Sequence, residues 1–298
     1  MKVAIIGAGG LVGKEFTRHF SSGHEVLPLT HNDLDVRDAE AVKRIIFAER
    51  PALIINCAVV GVDACELDPQ LARAVNAVGA GHLAKAAAAI DADILQLSTN
   101  YVFDGQGASK SFYTVEDVPN PISVYGQTKL AGERAVKTAS RRCFIVRTSW
   151  VFGPGKENFF SAAHRNLHAA KKIRAIKDVW ASSTYARDLV SRSIEILTLR
   201  HYGTYHVVNS DHCSYYDFAL EAGRVLKIAD SELTRLIDPV NLFALKLIAN
   251  RPRYTPMRCI VSEEIGLAPL RDWRTALAEY IHDETVKCPS VSQDGFSQ

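Results

Sequence analysis

A phenol and an ammonium stand four residues apart in the string Tyr125-Gly126-Gln127-Thr128-Lys129. On a helix that spacing puts both groups on one face. An ammonium beside a phenol favours the phenolate, which brings a proton donor toward neutral pH. Upstream, Ser98-Thr99 closes the apolar run 94–97, at a place where a hydroxyl can hold a carbonyl oxygen. Thr99, Tyr125 and Lys129 are therefore the candidate catalytic residues, and the chemistry they suit is proton delivery to a carbonyl undergoing reduction. A Tyr-x-x-x-Lys string is common on its own. Its weight comes from a second motif near the N-terminus.

Gly7-Ala8-Gly9-Gly10-Leu11-Val12-Gly13 follows the apolar run 3–6 and opens a helical pattern. Val12 breaks the spacing G-x-G-x-x-G, whereas Gly7, Gly10 and Gly13 satisfy G-x-x-G-x-x-G. Glycines here permit a tight turn and let backbone N–H groups at a helix start approach a pyrophosphate. Between a strand and a helix, such a turn favours a dinucleotide over a bare structural bend. The candidate cofactor contacts are Gly7, Gly10, Leu11, Val12 and Gly13, then Thr30 after the second apolar run. Asp35 and Val36 are expected at the adenine and Ala58, Val59 and Val60 after the third run, with Tyr125 and Lys129 completing the set. The stretch Leu29-Thr30-His31-Asn32 holds no carboxylate to accept from a ribose 2′-hydroxyl and no arginine, while His31 can face a 2′-phosphate. The expected cofactor is NADP(H), with NAD(H) also accepted and a preference below about tenfold.

The elements that must position these groups alternate along the first half. Apolar runs at 3–6, 25–29, 53–55, 94–97 and 144–147 read as buried strands, and 14–20, 39–49, 69–90 and 125–138 read as helices. Such alternation implies right-handed crossovers and an α/β fold, a doubly wound parallel Rossmann sheet. Residues 1–153 are expected to form the NAD(P)-binding domain. After Gly153 the rhythm weakens into helices at 158–170, 186–199, 215–227 and 272–283 with a strand at 205–208. We read 154–285 as mainly a smaller C-terminal substrate-binding lobe, with some segments returning to the Rossmann domain, and 286–298 as a flexible tail.

Composition narrows the class. The 298 residues are 47% hydrophobic and 23% charged, with a formal net charge of +2. That balance argues against a nucleic-acid binder or a membrane-surface protein. Six widely separated cysteines with no C-x-x-C pair fit a reducing compartment better than a zinc site or a disulfide scaffold. The longest apolar stretch, 52–62, is too short to span a bilayer. A cytoplasmic protein is expected.

Several strings carry a family resemblance: Asn56-Cys57-Ala58 with Val62-Asp63 and Glu66; Val75-Asn76; Ser98-Thr99-Asn100-Tyr101-Val102-Phe103-Asp104-Gly105; Tyr125 to Glu133; Arg147-Thr148-Ser149-Trp150-Val151-Phe152-Gly153; Asn158-Phe159; Tyr205-His206; and Arg251-Pro252. Over residues 1–282 the chain resembles the dTDP-4-dehydrorhamnose reductases, extended short-chain dehydrogenases/reductases. The resemblance implies hydride delivery from NAD(P)H to the C4 ketone of a nucleotide-linked 6-deoxy-4-ketohexose. It implies that Tyr125 protonates the developing alkoxide, that Lys129 holds the nicotinamide ribose and that Thr99 bonds the carbonyl. Substrate contacts would be Thr99, Asn100, Trp150 against the sugar and Arg251 on the diphosphate. The expected partners are that nucleotide sugar and, as an assembly left open, a second copy of the chain.

Departures from the family bear on the substrate. Asn100 stands where the family usually has Asp, and in 178–184 only Asp178 and Thr184 match the usual pattern. Val60 replaces a polar or aromatic residue of the cofactor wall. Glu15 occupies a position where some members bind magnesium between subunits; we read it as a solvated helix carboxylate and expect no metal. A dehydratase would need acid and base groups directly after Thr99, which Asn100 and Tyr101 do not provide. A related 4-ketosugar reductase or 4,6-epimerase keeps Tyr125 and Lys129. A different class, a non-catalytic subunit like the regulatory partner of methionine adenosyltransferase, would bind NADP without turnover.

Overall fold

Val3, Ala4, Ile5 and Ile6 are all buried, as a strand must be when helices cover both faces of its sheet. The computed structural model describes residues 1–106, 111–155 and 157–287. The first half runs β1 (Lys2–Ile6), α1 (Leu11–Phe20), β2 (Glu25–Leu29), α2 (Ala39–Glu49), β3 (Leu53–Asn56), α3 (Val62–Leu67), α4 (Pro69–Arg73), α5 (Ala80–Ala89), β4 (Asp93–Thr99), α6 (Val124–Ala139) and β5 (Cys143–Thr148). The second half adds β6 (Val151–Phe152), α7 (Phe159–His168), β7 (Ile173–Ile176), β8 (Trp180–Ala181), β9 (Thr184–Tyr185), α8 (Ala186–Leu199), β10 (Gly203–His206) and β11 (Cys213–Ser214). It continues through α9 (Tyr215–Val225), α10 (Asp230–Leu236), β12 (Ile237–Val240), β13 (Tyr254–Thr255), α11 (Ile260–Glu264) and α12 (Trp273–Lys287).

Six strands form one parallel sheet in the order β10-β5-β4-β3-β1-β2. Alternate residues serve its two faces. Val3, Ile5, Ile55, Leu95 and Val146 pack on Phe16 and Phe20 of α1 and on Leu189 and Ile196 of α8. Ala4, Ile6, Ile54, Ile94 and Ile145 pack on Val42 and Ile46 of α2 and on Leu83 and Ala84 of α5. The chain leaves β1 for β2 on one side and then places β3 on the other. The resulting switch point opens a crevice at the carboxyl ends of β1 and β3.

The second half does not lie wholly apart from this sheet. Both β10, paired with β5, and α8, packed against α1, belong to the nucleotide-binding layers. The rest builds a second core around Phe152, Phe160, Tyr185, Phe218, Trp273 and Tyr280. Two sequence expectations need correction here. The helix over 69–90 is interrupted by a π-helical turn at Ala74–Gly79, where the wider turn sends the Asn76 side chain across to neighbouring elements. The last helix runs to Lys287, so 286 and 287 are helical rather than tail; 288–298 lie outside the described residues. Among the described residues, no helix is long and apolar enough to cross a membrane.

Candidate active site

The glycine turn is closed by Gly10 N–H donating to the Gly7 carbonyl at 3.0 Å. Gly7 has φ +77°, and a Cβ there would stand 2.8 Å from the Ala58 nitrogen. A Cβ on Gly13 would stand 2.3 Å from the Gly7 oxygen. The loops after β1 and β3 therefore touch, and α1 enters tight against the turn. Gly10, the N-cap of α1, has no side-chain cap. The first N–H groups of α1, from Leu11, Val12 and Gly13, are thus free to donate to an anion, which is what a pyrophosphate requires. The residues present fit a dinucleotide.

The ribose end differs from expectation. The stretch Leu29-Thr30-His31-Asn32 has no carboxylate, yet Asp33 folds back onto it. Its Oδ2 accepts from Thr30 N–H at 2.8 Å and from Thr30 Oγ1 at 2.6 Å. Those two bonds hold the Asp33 carboxyl below the usual range. Thr30 therefore presents a fixed carboxylate at the end of β2, not a free donor. Asp35 forms an ion pair with Arg37, 2.6 Å from Nη2. Val36 is buried against Gly79, and its carbonyl lies 3.0 Å from His82 Nδ1. Beyond β3, Ala58 N–H donates to Asn56 Oδ1 and Val60 N–H to Asn76 Oδ1, while Val59 is exposed. Asn76 also donates to Thr128 at 3.2 Å. It ties the cofactor wall to α6, a role not drawn from the Val75-Asn76 string.

The structure brings Thr99, Tyr125 and Lys129 together. Ser123 caps α6, and Val124 N–H donates to Glu66 Oε1 at 2.8 Å. Tyr125 thus starts the helix and shares a side-chain hydrogen bond with Thr99 at the end of β4. Its ring meets Tyr101 edge to face, 5.5 Å between centroids. Lys129 is buried and donates to the Leu97 carbonyl at 2.6 Å. Here the sequence reading is corrected. Burial pushes the Tyr125 phenol up, not down, while the Lys129 ammonium gives one of its N–H groups to the Leu97 carbonyl. Burial also lowers Lys129 to about 8, although Glu133 opposes the shift.

Residues 1–286 match the family model described as RmlD substrate binding domain. A dTDP-4-dehydrorhamnose reductase of Mycolicibacterium smegmatis is 39% identical over 94% of this chain and 85% of its own. The chain belongs to the dTDP-4-dehydrorhamnose reductase family. A crystal structure of the Clostridium acetobutylicum dTDP-4-dehydrorhamnose reductase superposes with a TM-score of 0.88 at 33% identity, covering 96% of this chain and 100% of that one. The Bacillus anthracis dTDP-4-dehydrorhamnose reductase, solved in complex with NADP, gives 0.88 at 30% identity over 95% and 99%.

Against that family, the substrate-side residues sit as follows. Asn100, buried after Thr99, accepts from Thr99 Oγ1 at 3.2 Å and donates to Thr255 Oγ1 at 2.7 Å. Its amide thus ties β4 to β13. Trp150 lies between β5 and β6 with φ +42°, stacked on Phe160 at 4.8 Å and against Tyr215 at 4.3 Å. It is half-buried, so one part of the ring is packed and another is open. Arg251 is already engaged by protein groups. Its Nη2 donates to Asp63 at 2.9 Å and its Nη1 to the Ala249 carbonyl at 3.1 Å. It is a latch between α3 and the segment before β13. A cleft of about 430 Å³ lies beside it, lined by Ile122, Phe243, Leu247 and Arg253 among others. Glu15 is not the solvated carboxylate expected: it is buried and paired with Arg18. Among the described residues no cluster of three or more His, Cys, Asp or Glu could hold a metal.

The arrangement at Asn100 predicts the outcome of restoring the family's residue. Asn100→Asp removes the donor to Thr255 and adds a negative charge beside Thr99 and Tyr125. A charge next to a buried phenol makes proton release harder. Steady-state assays with dTDP-4-dehydrorhamnose are expected to show no rate gain for Asn100→Asp. A clear increase would mean that the amide is a defect and not a built part of the site.

Proposed function

We propose that this protein is an NAD(P)H-dependent reductase of the C4 ketone of a nucleotide-linked 6-deoxy-4-ketohexose, acting in dTDP-rhamnose biosynthesis. The observation that carries the reading is the convergence of Thr99, Tyr125 and Lys129 at the carboxyl end of β4, beside the uncapped glycine turn. A bound reduced nicotinamide supplies the hydride. Thr99 and Tyr125 orient the ketone oxygen through their hydroxyls, and Tyr125 releases its proton to that oxygen as charge develops. The raised phenol keeps that proton until it is needed. Lys129 keeps one N–H on Leu97 and offers the others to the ribose, and its charge stabilises the phenolate left behind. Trp150 offers its open edge to the sugar, Asn100 holds Thr99 in place, and Arg251 exchanges Asp63 for the diphosphate.

The relatives reported above are named as reductases, which favours turnover over a non-catalytic cofactor-binding subunit. We read the enzyme as cytoplasmic, since the described cysteines are all unpaired, as expected in a reducing compartment. The test is cofactor oxidation against a panel of nucleotide-linked 4-ketosugars, with the dTDP-linked 6-deoxy sugar expected to be consumed.

The cofactor wall makes its own prediction. Asp33 accepts a ribose 2′-hydroxyl and repels a 2′-phosphate, while His31 beside it works in the opposite sense. Fluorescence titration is expected to show binding of both NADH and NADPH, with affinities within about tenfold. Asp33→Asn should move the ratio toward NADPH. An unchanged ratio would place the ribose elsewhere.

A further inference from the structure

The group that lies behind the catalytic residues is a buried ion pair with more partners than packing needs. Glu133, one turn after Lys129 on α6, accepts from Ser98 Oγ at 2.5 Å and from Arg147 Nε at 2.9 Å through Oε1, and from Arg147 Nη2 at 2.7 Å through Oε2. Side-chain exposure is 2% for Glu133 and 5% for Arg147. Arg147 also lies over the Phe103 ring, 5.4 Å from its centroid, and its Nη1 is buried with no partner. Ser98 and Arg147 are paired across β4 and β5, and the next pair in the ladder is Thr99 with Thr148. Burying two charges costs several kcal/mol per ion, and apolar residues of similar size often serve stability as well. A pair with an orphaned Nη1 is a poor choice if stability is the aim. Its placement points to the site: one end abuts Thr99, and the other stands one turn from Lys129.

We propose that Glu133, clamped by Arg147 and Ser98, is a positioning residue of this active site: it supplies the counter-charge for the Lys129 ammonium and locks the end of β4 to α6. The assignment rests on the reading of Lys129 as the residue that holds the ribose. The groups facing Lys129 are few. Glu133 is the carboxylate, the Cys57 and Cys65 thiols stand on the loop after β3 and on α3, and β4 offers the Leu97 carbonyl. With Lys129 lowered to about 8, it is charged below that pH and neutral above it. Since Tyr125 is raised, it stays protonated through the same window. The wild-type enzyme should therefore lose kcat/KM, and lose NADPH affinity, as pH rises through about 8.

Glu133→Gln keeps the shape, removes the carboxylate charge and leaves Arg147 uncompensated. It should move the alkaline limb of both profiles down by about one pH unit, the size of effect one nearby charge exerts. The double variant Glu133→Gln/Arg147→Met removes both charges and guards against a folding failure. Its limb should fall between those of wild type and Glu133→Gln. A purely structural pair would lower the height of the profiles without moving their limbs. Limbs that coincide with wild type in the folded variants would overturn the assignment. The NADPH profile keeps this separate from the proposed reaction. If its limb shifts while no ketosugar is turned over, the reading of the reaction fails and the role of Glu133 stands.

Discussion

Tyr125→Phe is expected to reduce turnover by about 10²–10⁴, the usual contribution of a positioned general acid, while leaving NADPH affinity close to wild type. The phenyl ring keeps its edge-to-face contact with Tyr101, so the start of α6 is undisturbed. What is lost is the hydroxyl that bonds Thr99 and carries the proton. The separation of effects is the informative part. Cofactor titration and single-turnover rates on the same preparation distinguish a missing proton donor from a misplaced nicotinamide. A Tyr125→Phe enzyme with a near-normal rate would remove Tyr125 from the mechanism.

Gly126→Ala is expected to be nearly as damaging, for a reason unrelated to the phenol. A Cβ at Gly126 would stand 2.2 Å from the Tyr101 carbonyl oxygen and 2.9 Å from Pro121 Cβ. Both neighbours are held in place, so α6 must move away from the turn that follows β4. Overpacking of this kind costs about 1–3 kcal/mol. Tyr125 is the preceding residue and moves with the helix, away from Thr99. A displacement of about 1 Å at a reacting group can cost about 10² in rate. The expected result is a folded enzyme with lowered Tm and kcat down by at least that factor. The Tm is read by thermal unfolding and kcat by steady-state assay. A variant with wild-type kcat would show that the helix start has slack that the contact distances deny.

Much of this was legible from residue types. The buried run 3–6, the glycines at 7, 10 and 13 and the Tyr-x-x-x-Lys spacing each depend on local geometry, and each lies where its pattern placed it. What escaped depends on side chains that reach across gaps in sequence. Asp33 lies just outside the stretch read at the end of β2; a Thr-x-x-Asp turn was the available signal. Arg37 is close in sequence to that strand but is spent on Asp35. The π-helical turn that carries Asn76 looks like ordinary helix in composition, and the partners of Asn76, Val60 and Thr128, are 16 and 52 residues away. The family resemblance implies a diphosphate role for Arg251. No local pattern shows that Asp63, 188 residues distant, already holds it. The pull of Lys129 on Tyr125 is outweighed for a different reason: helix spacing places two side chains on one face but does not say how deeply the phenol is buried.

The central claim is hydride transfer to C4 of a ketosugar nucleotide, and isotopic labelling tests it most directly. The purified protein would be incubated with NADPH or NADH deuterated at the transferable C4 position and with dTDP-4-dehydrorhamnose. The product would then be examined by mass spectrometry and NMR. The account predicts one deuterium per product molecule, located at C4 of the sugar, with one cofactor oxidised for each ketone reduced and no transfer in Tyr125→Phe above its residual rate. Cofactor that binds but stays reduced across the panel of 4-ketosugars, or sugar converted without net cofactor oxidation, would contradict it.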